Sequence, residues 1–173
     1  MNFTNLQIQT EQLPKVEDVV LKPISKSYLK IILLNKLALY IGVIGLVFGL
    51  KYIIEKKEEL QLNLWYMLSA VVVFCVFNFI VSLLAFKKRK YAMREHDVVY
   101  AKGLLVHSIT TVPISRIQHV EESRSWLARH FGLATLKIFT AGEAGSDLSI
   151  KGLPYIEAKQ IKEIISDKVN GNN

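Results

Sequence analysis

The residues able to do chemistry are few and scattered. His96, His107, His119 and His130 are the four histidines, and no two stand in metal-ligand spacing with a third ligand nearby, as a zinc centre requires. Glu121 and Glu122 are adjacent, so on a strand they point to opposite faces and cannot work as a carboxylate pair. Residues 141–147 are glycine-rich but lead into an expected strand, whereas a phosphate cradle opens a helix; a plain hairpin loop is expected there. Ser115-Arg116 has neither a nucleophile elbow nor a base at useful spacing. One cysteine, Cys75, excludes an intrachain disulfide and a multi-cysteine zinc site. The expectation is a protein that is not an enzyme and uses no metal and no cofactor.

Positive charge is the one chemical signal that recurs. From Lys87 onward the chain carries fourteen Lys/Arg against nine Asp/Glu. Lys87, Lys88, Arg89 and Lys90 are consecutive, and such a cluster beside a bilayer is drawn to anionic lipid by about 1 kcal/mol per charge. Arg116, Arg124 and Arg129 are expected to form a second patch resting on headgroups or on a partner. These seven are the candidate lipid- or partner-binding residues. The competing expectation is that the first cluster only sets membrane orientation.

The elements that must position these residues begin with two apolar blocks, residues 31–54 and 62–86. The first is free of charge from Leu37 to Leu50, and the second carries none. At 1.5 Å per residue each block is about 36 Å long as a helix, enough to cross a hydrocarbon core of about 30 Å. Lys36 and Lys51 sit where long side chains snorkel to the interface. The outer flanks hold nine basic residues against three, Lys51, Lys56 and Lys57, in or just before the connecting loop, 55–61. The positive-inside rule therefore places both termini in the cytoplasm. Residues 1–30 are mostly polar and read as a cytoplasmic segment, with neither signal peptide nor lipidation expected.

The spans also predict how they pack. Gly42, Gly45 and Gly49 lie on one face of the first, and Cys75, Asn78 and Ser82 repeat that spacing on the second. Small and weakly polar faces let helices approach closely in lipid, so the two faces are expected to meet inside the hairpin, or one to dock a partner. Asn78 reads as interhelical glue.

Residues 90–170 read as one small α+β domain. Short strand-like runs cover 91–94, 98–101, 104–112, 117–121, 134–140 and 148–151. Ser125 caps a short helix ending at Gly132. Pro154 opens a C-terminal amphipathic helix whose apolar stripe is read as Ile156, Ile161, Ile164 and Ile165. Short antiparallel strands closed by one helix suggest a strongly bent sheet or partly open barrel.

Several strings in this region resemble one known family. Tyr91-Ala92-Met93-Arg94-Glu95-His96-Asp97-Val98-Val99-Tyr100, Lys102-Gly103-Leu104-Leu105 and Thr111-Val112-Pro113-Ile114-Ser115-Arg116-Ile117-Gln118-His119-Val120 are similar to the bacterial pleckstrin-homology-like domain of membrane-flanked proteins. Residues 129–138 and 145–148 continue the likeness. It covers roughly 22–168, spans included, and implies an antiparallel β-barrel with a capping helix. It implies no ligand residues.

The function expected is a membrane-anchored interaction or scaffold module. It presents the domain at the inner leaflet of a bacterial cytoplasmic membrane, as a multi-pass protein within a homo- or hetero-oligomeric complex. Its expected partners are membrane lipids and a protein or a second copy. One alternative is a sensor of anionic lipid or envelope stress, in resistance to antimicrobial peptides. Another is a subunit of a lipid or peptide transporter. Nucleic acid is not expected as a partner, because the basic excess is small and the domain is tethered to a membrane.

Overall fold

A computed structural model describes residues 19–55, 64–141 and 148–171. Most of the expected N-terminal segment, nearly all of the connecting loop and most of the glycine-rich loop lie outside the described residues.

Helices α1 (Ser27–Glu55) and α2 (Leu64–Lys87) form an antiparallel hairpin. Each is long and apolar enough to cross a membrane. The packed face of α1 presents Lys36, Tyr40, Val43 and Val47; that of α2 presents Val71, Cys75, Asn78 and Ser82. Their three- and four-residue spacing is that of a helical stripe. The opposite faces expose Leu39, Ile41, Leu46 and Phe48 on α1, and Phe74, Phe77 and Ile80 on α2. In water this much exposed apolar area would be heavily penalised, whereas in hydrocarbon it is the stable arrangement.

Only Lys88 and Arg89 separate α2 from the next strand of the chain. One antiparallel sheet runs in the order β1 (Lys22–Pro23), β2 (Lys90–Met93), β3 (Asp97–Lys102), β4 (Ser108–Pro113). A 3-10 turn at Ile114–Arg116 leads into the second, ordered β5 (Ile117–Ser123), β6 (Leu133–Thr140), β7 (Leu148–Pro154). Helix α3 (Trp126–His130) joins β5 to β6, and α4 (Tyr155–Asn170) packs on the second sheet. The fold is thus α+β with an apolar hairpin, and among the described residues its two sheets do not close into a ring: the expected barrel is open. Val98, Leu136, Ile138, Ile150, Leu153 and Ile165 fill its core.

Local signals explain several boundaries. The Ser125 hydroxyl accepts from the Ala128 amide at 3.2 Å, capping α3. Three readings are corrected. The stripe of α4 is Ala158, Ile161 and Ile165, while Ile156 and Ile164 face outward. Leu104–His107 is not strand but the β3–β4 turn. Gly103 closes it at φ +106°, where a Cβ would collide with the Val106 carbonyl, so the apolar run turns outward instead of joining the sheet. The chain before the hairpin is not separate from the domain either, since Lys22 pairs with Tyr91 and Ile24 is buried in the core.

That N-terminal stretch makes the joint between hairpin and domain. The Ser25 amide donates to the Gly152 carbonyl at 3.0 Å. Gly152 is the extra residue of a bulge opposite Ala134 and Thr135, at φ +83°. A Cβ there would lie 2.5 Å from Cγ of Tyr28, so only glycine lets the base of α1 rest on β7. On its other flank, Ile31 of α1 packs with Ala128 of α3 and Leu133 of β6.

Candidate functional site

Within the hairpin, Asn78 collects the polar groups. Its side-chain oxygen accepts from the Lys36 ammonium and, at 3.3 Å, from the Tyr40 hydroxyl. The Ser82 hydroxyl donates to the Asn78 backbone carbonyl at 2.9 Å. Lys36 therefore does not snorkel outward, as its position suggested; it turns in because Asn78 offers a carbonyl where lipid offers none. Cys75 lies half-buried on the same face. Gly42, Gly45 and Gly49 are not brought to this seam: all three are exposed, and a Cβ on any of them would meet nothing within 4 Å.

The basic candidates divide. Lys87, Lys88 and Lys90 are exposed, while Arg89 is half-buried with its guanidinium 5.9 Å from the centre of the Tyr28 ring. Arg116, Arg124 and Arg129 do not gather into one patch. Arg116 precedes β5 and Arg124 follows it, so the seven-residue strand between them sets them about 25 Å apart. Arg124 stacks 4.0 Å from the centre of the Tyr155 ring and donates to the Leu133 carbonyl at 3.3 Å, fastening the start of α4 to β6. Arg129 is exposed on α3. The histidines lie on separate elements, His119 stacked on Phe139 and His130 on Trp126.

A different group of cations does converge. At the foot of the hairpin a cavity of about 630 Å³ opens between Tyr28 and Ala85 of the helices, the β3–β4 turn and the edge strand β7. Arg89, Lys102 and Lys151 line it with the hydroxyl residues Ser108 and Ser149, and among the described residues no carboxylate lines it. Register explains the meeting: Lys102 stands opposite Ser108, and β7 brings Ser149 and Lys151 across on the second sheet. Sequence reasoning included Arg89 but missed Lys102 and Lys151, which stand nearly fifty residues apart with no shared periodicity. The only linear signal was the Lys102-Gly103 turn.

A second polar cluster clasps β1 to α4. Glu157 accepts from Lys22 at 2.8 Å and from the Tyr91 hydroxyl at 2.6 Å. Burial alone would raise the Glu157 carboxyl, but the bonds from Lys22 and Tyr91, with the Lys22 charge, outweigh it and hold the group below its ordinary value. Burial, then the bond to Glu157, pushes the Tyr91 phenol up. Asp97, held by Arg94 across the β2–β3 turn, is likewise lowered.

Residues 30–169, from the foot of the hairpin to the last turn of α4, match the family described as Bacterial PH domain. The chain is also 34% identical over 88 residues to the UPF0699 transmembrane protein YdbS of Bacillus subtilis (strain 168), a stretch covering 51% of this chain and 54% of that protein. The chain thus matches about half the length of this curated relative. No solved structure matches. The apolar hairpin, the two antiparallel sheets with their C-terminal helix, and a match over most of the chain agree: this protein belongs to the Bacterial PH domain family and is membrane-associated.

Proposed function

We propose that the protein is a membrane-anchored, non-enzymatic scaffold that presents its PH-like domain at a fixed height and angle on the cytoplasmic face of the membrane. There it would engage a protein partner or a second copy. The observation that carries this reading is the joint. Lys88 and Arg89 alone link α2 to β2, β1 adds to the same sheet, and Tyr28 rests on Gly152. A tethered domain that only needed to remain near the membrane would tolerate a long linker; this one is braced at both ends of the hairpin. The charge distribution supports cytoplasmic placement of both ends.

The test is native mass spectrometry of the full chain extracted from its own membrane in mild detergent. The reading expects a stoichiometric assembly, containing either a second copy or one defined subunit. A monomer free of any other chain, with its fold intact, would overturn it.

A further inference from the structure

The cavity at the foot of the hairpin is cationic, lined with hydroxyl residues and placed at headgroup depth. Ala85 belongs to a span and Arg89 lies two residues beyond it, so the rim stands where hydrocarbon gives way to water. The Tyr28 ring packs beneath the Arg89 guanidinium. Lys102 and Lys151 approach from separate sheets, and among the described residues neither has a carboxylate within ion-pair distance. Three like charges held together cost free energy unless an anion joins them. A second, independent feature sits on the same rim. The β3–β4 turn presents Leu105 and Val106, 93% and 79% exposed, beside the cavity that Val106 helps to line. Two adjacent, fully presented aliphatic side chains are poorly placed in water and well placed in the acyl layer.

We propose that this cavity binds the phosphate group of an anionic phospholipid from the leaflet beside the domain. Arg89, Lys102 and Lys151 neutralise the phosphate, and the Leu105–Val106 tip enters the acyl layer next to it. The volume is within the range of small-molecule sites. Arginine suits a phosphate through its planar fork, and the lysines act as point charges. Ser108 and Ser149 supply hydroxyl donors beside them. The site does not depend on which protein the domain engages. Its failure would therefore leave the scaffold reading standing, and the reverse also holds.

The experiment is native mass spectrometry of the purified full chain, titrated in detergent with phosphatidylglycerol or phosphatidylcholine, and in parallel with inorganic phosphate alone. Wild type is expected to retain one phosphatidylglycerol in preference to phosphatidylcholine. Lys102→Gln with Lys151→Gln should weaken that retention roughly fivefold per charge removed. The charge-matched pair Lys159→Gln with Lys162→Gln, on α4, should leave it unchanged. Leu105→Ser with Val106→Ser should weaken lipid retention while keeping every charge. All these positions are exposed or half-buried, and thermal unfolding of each variant verifies its fold. Equal retention of the two lipids, or equal losses from the α4 pair and the cavity pair, would overturn the proposal. Binding of inorganic phosphate that depends on Lys102 and Lys151, without any lipid preference, would overturn the lipid assignment in favour of a free phosphate.

Discussion

At Glu157 two hydrogen bonds and one charge decide the state of a single carboxyl. Because its folded value lies below the ordinary 4.5, the stability it contributes is present above about pH 5 and is lost as the pH falls through 4.5 and below. The stability difference between wild type and Glu157→Gln should therefore be constant near neutrality and shrink toward zero under acid. Thermal unfolding from pH 7 to pH 3 checks this, and a difference that grows on acidification would contradict it. Ser125 could be read as a cap, and Pro154 as a helix opener, because both act on neighbouring residues. Gly152 and Lys151 could not be read, because their roles exist only once β7 lies against Tyr28 and across from Lys102.

The hairpin and the sheets behave differently as elements. Both helices were legible from composition alone, since a long uncharged run has few other stable environments. Their contact face was not legible. Glycine spacing pointed to one side of α1, yet the structure uses the side carrying Lys36 and Tyr40, whose polar groups bond to the Asn78 side chain. This predicts strong coupling. Asn78→Leu alone, which strands the Lys36 ammonium, should cost about 1–3 kcal/mol. Lys36→Leu combined with Asn78→Leu should be nearly neutral. A double-mutant cycle measured by unfolding of the full chain checks it, and strictly additive losses would contradict it. Among the sheets, β1 escaped notice because two residues carry no periodicity. The run 104–107 reads as strand because its apolar residues satisfy the same composition rule as a buried one.

The apolar hairpin and the PH-like domain form a single braced unit, with the cationic cavity at the line where they meet. That arrangement has meaning only if the two helices cross the bilayer and leave the domain on the side of both chain ends. Cysteine mapping tests this most directly. In a Cys75→Ala background, single cysteines are placed by Glu58→Cys, in the segment joining the helices, and by Lys162→Cys, on α4, and then exposed to a membrane-impermeant maleimide. Glu58→Cys is expected to be labelled in intact spheroplasts and Lys162→Cys only after lysis. Labelling of both positions from the same side would contradict it.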